Sequence, residues 1–165
     1  MATTTTFKLI RNQIVSVIEA LTPATLNRPE NKFRRLPDKT MKLDEWCLAH
    51  GNDGCFRKFD IRRTGGFGDP DILDPAALRR SFTATITVAY PVSFGLYGAN
   101  DIDDLEDTID SDVTQIREAV FSPGNLLAGH IENRVTVEDT DRSDDRVWFQ
   151  RFTVEVTYYN AQTLT

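Results

Sequence analysis

The sequence predicts an α+β domain, in which an antiparallel sheet carries two main helices packed on one face and ends in a C-terminal β-hairpin. Three observations lead to this prediction: two amphipathic helical stripes, one strand of strict alternation, and two strand-like segments joined by a polar turn. Their order is helix, loop, strand, strand, helix, strand, strand, which favours an antiparallel sheet with helices on one face. The 165 residues correspond to about one domain, residues 1–165.

The N-terminal part of the chain predicts one helix and then a long loop. Apolar residues recur at helical spacing from Phe7 to Leu21, so residues 6–21 are predicted to form an amphipathic helix. Residues 25–54 contain proline and mixed charge and predict a loop-rich segment, in which LDEWCLAHG (residues 43–51) has the spacing of a short helix. Residues 55–63 are predicted to form a strand.

The rest of the chain predicts the main strands and the second helix. In SFTATITVAY (residues 81–90) small polar and apolar residues alternate, which is the period of a strand. Residues 101–120 carry apolar side chains at steps of three and four, the spacing of a helical stripe. The hairpin joins residues 130–139 to residues 147–159 through the polar turn TDRSDDR. The core predicted between sheet and helix consists of Phe82, Ile86, Val88, Ile109, Val113, Ile116, Phe152, Val154 and Val156.

Composition argues against several classes of protein. The net charge of −6 disfavours a general nucleic-acid-binding protein, since such proteins are usually basic. The two cysteines do not make a disulfide framework, so we expect a reducing compartment. No apolar run approaches the length of a membrane span. The N-terminal segment lacks a positive residue before its apolar part, so we expect a soluble protein without an export signal.

The charges are divided between two parts of the chain. Residues 28–63 carry ten basic and six acidic side chains, whereas residues 101–146 carry fourteen acidic side chains and four arginines. Such asymmetry is typical of proteins that meet charged partners, including copies of themselves. The alternative is two solvated surfaces that happen to differ in charge.

The acidic stretch NDIDDLEDTIDSDVTQIREAV (residues 100–120) has several alternative interpretations. A calcium loop would need glycine where Glu106 stands and a ligand where Leu105 stands. An acid–base or two-metal site needs carboxylates that converge, whereas those of a helix diverge. A plain solvated face is disfavoured because like charges four residues apart repel and no lysine occurs in the helix. The acids are therefore available to meet cations elsewhere, such as basic loops of another subunit.

The remaining candidates for chemistry are weaker. Cys47, His50 and Cys55 supply three potential zinc ligands at an unusual spacing, so buried thiols and a satisfied histidine are favoured. A nucleophile pair of Cys47 and His50 on one short helix would also be unusual. GGFG (residues 65–68) lacks the setting of a phosphate-binding loop. We therefore predict no catalytic residues, no metal and no cofactor, and we do not expect an enzyme.

In order and length, these elements resemble the tail-terminator proteins of long-tailed bacteriophages. The resemblance rests on the opening helix, the FTATITVAYPV strand, the acidic helix and a hairpin that ends in FTVEVTYYN. It covers most of the chain as a pattern and not as a signature motif. The segment 25–54 is longer than the family implies, which leaves another neck or head-completion adaptor, or a non-viral protein-binding module, as the alternative.

The resemblance implies a structural protein of the virion, assembled in the host cytoplasm. Such proteins form homo-oligomeric rings, usually hexamers, that cap the tail tube and join it to the head. The implied partners are other copies of the chain, the tail tube protein and a head-completion or neck protein. DNA is implied only in transit through the channel, and no membrane is implied.

The charge distribution suits a ring for a separate, physical reason. A closed ring needs a heterologous contact, in which one face of a subunit meets a different face of the next. We predict that acids of the helix point into a subunit boundary or into the channel, where they would also repel DNA phosphates. Arginines of the basic half are their predicted partners from a neighbouring copy. The acids are Asp103, Asp107 and Asp110, and the arginines are Arg34, Arg35, Arg62 and Arg63.

Overall fold

The computed structural model describes residues 6–23, 32–37, 42–49, 57–65, 78–92, 101–122 and 130–160. The predictions that concern His50, Cys55 and most of GGFG lie outside these residues. None of the described helices combines the length and the apolar character needed to cross a bilayer. The elements are α1 (Phe7–Glu19), β1 (Arg34–Arg35), α2 (Leu43–Ala49), β2 (Lys58–Arg63), β3 (Leu78–Pro91), α3 (Asp101–Phe121), β4 (His130–Val137) and β5 (Val147–Asn160).

The strands form one five-stranded sheet in the order β1-β2-β3-β5-β4. Neighbouring strands are antiparallel, except for the parallel pair of β1 and β2 at one edge. The two longest strands, β3 and β5, pair from Leu78↔Asn160 to Pro91↔Val147 and form the centre of the sheet. The α+β class and the C-terminal pair of strands are thus confirmed.

The first helix owes its position to a cap and an apolar stripe. The Thr6 side chain accepts a hydrogen bond from the Leu9 backbone N–H at 3.3 Å, which satisfies one of the donors that a helix start leaves open. The buried side chains of α1 recur at helical spacing and join one core with α3 and with alternate residues of the strands. Both helices therefore pack on the same face of the sheet, as predicted. The buried residues of α1 are Ile10, Ile14, Val15 and Ile18.

The short helix α2 packs on the opposite face. Its Cys47 forms a small cluster with Ala89 and Val147, whose sequence neighbours point into the main core. Because successive side chains of a strand point to opposite faces, this cluster lies on the other side of the sheet. Lys58 is buried beneath the same helix, where its ammonium group donates to the Trp46 carbonyl at 3.3 Å and lies 4.6 Å from the centre of the Trp46 ring.

Two details differ from the sequence-based expectations. The segment 25–54 contains the two-residue strand β1, whose backbone pairs with the start of β2. Val113 is only partly buried and packs against the rim of the core, whereas the other eight predicted core residues are buried. The helical phase places Asp112 on the buried side of α3 and turns Val113 towards the surface.

Candidate functional site

The outer side of α3 presents a continuous line of exposed side chains. Their positions follow each other at steps of three and four residues, opposite the buried stripe of the same helix. The first three are the predicted acids, and none of these forms an ion pair with another described residue. The last is an exposed phenylalanine, with 57% of its surface accessible. We call this line the acidic ridge; it consists of Asp103, Asp107, Asp110, Thr114, Arg117 and Phe121.

The acidic ridge borders the β4 edge of the sheet. A groove of about 490 Å³ between α3 and β4 is lined by Thr114, Arg117 and Phe121 of the ridge. A smaller hollow beside it is lined by Asp110 of the ridge, by Val137 at the end of β4 and by residues 138–140, which follow this strand. The predicted acids are thus exposed near one lateral edge of the domain.

The four predicted arginines lie at the opposite edge. Arg34 and Arg35 form β1, and Arg62 and Arg63 end β2. Because β3 and β5 lie between β2 and β4, strand spacing places β1 and β2 about 14–19 Å from β4, the strand that the acids border. The structure therefore places all four arginines at the β1–β2 edge, but Arg34, unlike the other three, does not line the groove found there.

At this edge, α1 and the β1–β2 pair enclose a groove of about 890 Å³. Its lining includes four arginines and two carboxylates, so its charge is positive on balance, and the remaining walls are apolar. We call it the basic groove. Sequence reasoning did not assign Arg11 to this site, because Arg11 belongs to the predicted helix and not to the basic segment. The charged residues that line the groove are Arg11, Glu19, Arg35, Asp60, Arg62 and Arg63.

The four groove arginines differ in how they are held. Arg62 is already engaged, since its Nε donates to Asp60 Oδ2 at 2.6 Å. The guanidinium carbons of Arg11 and Arg63 lie 5.5 Å and 5.6 Å from the centre of the Phe7 ring, which fixes both cations beside the groove.

The other feature of the groove is a pair of donors without acceptors. The Nε atoms of Arg11 and Arg35 are buried and have no hydrogen-bond partner among the described residues. The backbone N–H of Arg35, in contrast, donates to the Glu19 carboxylate at 3.1 Å. Since buried donors are normally satisfied, these two point to an acceptor from outside the described part of the chain.

A buried ion pair joins the basic and acidic parts of the chain internally. Arg57 Nε donates to Asp112 Oδ2 at 2.6 Å, and both side chains are fully buried. The Tyr90 hydroxyl donates to the same oxygen at 2.9 Å, and the Arg57 guanidinium lies over the Phe33 ring. Burial raises the pKa of Asp112, and the charge and hydrogen bond of Arg57 act in the opposite direction.

The basic segment is thus less exposed than its composition implied. Arg57 and Lys58, two of its ten cations, lie inside the protein and hold α3 and α2 against opposite faces of the sheet. Of the other described cations of this segment, Arg35, Arg62 and Arg63 line the basic groove.

Two features of the described residues concern metal binding and thiol chemistry. No group of three histidine, cysteine, aspartate or glutamate side chains in this part of the chain is placed to hold a metal ion. The Cys47 thiol is fully buried, and burial raises its pKa to about 12, so it is protonated at neutral pH.

Comparison with protein families and with curated sequences gives no further guide to the function. No model of a protein family and no curated protein sequence matches this chain. The acidic ridge, the basic groove and their positions in the fold are the features of the molecule that bear on its function.

Proposed function

We propose that this protein is a structural component of a bacteriophage tail or neck, which forms a homo-oligomeric ring of the tail-terminator type. In this role a ring, hexameric as in the family that the sequence resembles, caps the tail tube and joins it to the head. Its partners are its own copies, the tail tube protein and a neck or head-completion protein, and DNA only passes through the channel.

The observation that carries the proposal is the separation of opposite charges to opposite lateral edges. A ring built from identical subunits needs two different surfaces that complement each other, one on each side of the subunit. The acidic ridge and the basic groove meet this requirement, because β3 and β5 lie between the β1–β2 edge that forms the groove and the β4 edge that the ridge borders. A monomeric adaptor has no comparable need for two complementary surfaces on one domain.

The fold is compatible with the resemblance on which the ring is based. The helix, the long central strand, the acidic helix and the C-terminal pair of strands follow in the expected order. Helices α1 and α3 share one face, so the ridge and the groove are both formed where this helical layer meets an edge of the sheet.

Mass measurement of the purified protein is the first test. Six chains of 18.7 kDa have a mass of about 112 kDa, and light scattering with negative-stain electron microscopy should show closed rings of this size. Added to growing tail tubes, the rings should bind the tube ends and stop elongation. A protein that stays monomeric at high concentration, or rings that ignore tube ends, would refute the proposal.

A further inference from the structure

We propose that the basic groove of one subunit is the binding site for the acidic ridge of the next. This inference rests on the proposed ring and adds to it the two surfaces that form the contact. The groove takes a helix that presents carboxylates, and the helix is α3 of a second copy of this chain.

The groove has the chemistry of a carboxylate site. Arg11 and Arg35 each hold a buried Nε without an acceptor among the described residues, and Arg63 stands at the same groove. A guanidinium group presents several donors in one plane, and a carboxylate accepts two of them at once. A buried donor without an acceptor destabilises the folded protein. A partner that supplies carboxylate oxygens removes this penalty and gains a specific contact.

The acidic ridge has the matching form. Asp103 and Asp110 are seven positions apart on one side of α3, about 10 Å along the helix axis. Phe121 lies about 16 Å further along the same line and exposes 57% of its surface. A helix that docks into a groove presents its contact residues at steps of three and four positions on one face, which is the spacing of the ridge. The groove offers apolar contacts as well, from Val15 and Leu36.

The charge of the chain favours a protein partner over nucleic acid. DNA-binding surfaces collect cations without acids, whereas Glu19 and Asp60 stand inside this groove. The chain as a whole has a net charge of −6, which repels a phosphate backbone. The ridge, in contrast, is present in every copy at the same concentration as the groove.

Paired charge reversals test the contact directly. The ridge variant carries Asp107→Lys with Asp110→Lys, and the groove variant carries Arg35→Glu with Arg63→Glu. In each variant alone, every ridge–groove contact brings like charges together. The concentration below which the assembly dissociates should therefore be at least about tenfold higher than for the wild type. An equal mixture should assemble again, because each intact surface then meets its native partner and each reversed surface meets an opposite charge.

The matched controls reverse exposed charges elsewhere. Lys42→Glu with Arg146→Glu, and Asp145→Lys with Glu155→Lys, change the net charge by the same amounts outside the ridge and the groove. Both controls should assemble as the wild type does. Far-ultraviolet circular dichroism and thermal melting establish that every variant is folded before its mass is measured.

The outcomes separate this inference from the proposed ring. Rings that persist in both variants would overturn the ridge–groove contact and leave the ring itself standing. Open filaments or dimers that respond to the variants as described would support the contact and overturn the ring. A mixture that stays monomeric would overturn the contact. Binding of labelled duplex DNA that the groove variant abolishes, with unchanged assembly, would instead assign the groove to phosphates.

Discussion

Removing one partner of the buried ion pair of Arg57 and Asp112 should cost more stability than breaking any of the exposed ion pairs among the described residues. Both side chains are fully buried, and Arg57 Nε lies 2.6 Å from Asp112 Oδ2. Removing one side chain leaves the other charge uncompensated, which costs about 3–5 kcal/mol. We expect Arg57→Met and Asp112→Leu each to lower the free energy of unfolding by about this amount. For a chain of this size, the melting temperature should fall by roughly 6–20 °C.

The double variant provides the decisive comparison. With both charges replaced by apolar side chains, the uncompensated charge is gone, so the loss should be far smaller than the sum of the two single losses. Urea denaturation measures the free energy of unfolding of the two single variants and the double variant. All are compared at one protein concentration, because self-association makes the apparent stability depend on concentration. Glu106→Gln serves as a control, because its exposed pair with Arg142 is worth only about 0–1 kcal/mol. Single losses under about 1 kcal/mol, or a double variant that shows the full sum, would refute this reasoning.

Four further predictions follow from the core, the surface and the thiol. Ile109→Ala and Val154→Ala should each cost on the order of 1–4 kcal/mol in denaturation, because both side chains are buried, and an unchanged midpoint would contradict the assigned faces. The side-chain and backbone hydrogen bonds of Ser143, with that of Arg151, lower the pKa of Asp141 to about 2. The stabilisation that Asp141 supplies is therefore complete above its usual pKa of 3.8 and lost as the pH falls through about 2. The melting temperature of Asp141→Asn should accordingly be lower than that of the wild type at neutral pH and equal to it in strong acid. An equal difference in melting temperature at both pH values would contradict the role of Asp141 ionisation. In a Cys55→Ser background, Cys47 should react with a disulfide reagent only as fast as the protein unfolds, and rapid labelling of the folded protein would contradict its burial. Chelator treatment should leave the melting temperature unchanged, and a fall of many degrees would show that a metal is needed.

Periodicity was sufficient to predict the larger elements of this fold. Helices α1 and α3 and strands β3 and β5 each bury one face where their side chains are described, so their apolar residues repeat with the period of the element. Strand β1 was missed because its two residues are too few to show any period. It pairs through backbone groups that β2 supplies, and sequence patterns carry no information on such a partner.

The buried aspartate shows what an apolar pattern leaves out. Asp112 lies three positions after Ile109 and four before Ile116, which is the buried side of α3. The predicted stripe was based on apolar residues alone, so it included Val113 and omitted Asp112. Its partner Arg57 is 55 positions away in the sequence, so no local pattern indicates the pair.

The sequence indicated some of the residues of the candidate site but not their arrangement, since Arg34 does not line the groove and Arg11, which was not predicted, does. The acids of α3 and the four arginines were recognised from charge alone, but their positions at opposite edges depend on the strand order. Since β5 inserts between β3 and β4, the order in space differs from the order in the chain. Arg11 joins the basic groove only because α1 packs beside the β1–β2 edge.

The central place of β5 also sets the order in which this protein can fold. The strand pairs with β3 on one side and β4 on the other, so the sheet remains in two pieces until residues 147–160 join them. The pair of Leu78 and Asn160 spans about 80 residues, and such distant contacts make folding slow. On the ribosome, α1, β1 and β2 emerge long before β5 does. We expect that an unfinished chain cannot hold the groove and the ridge at their final separation, which would delay subunit contacts until synthesis has passed this strand.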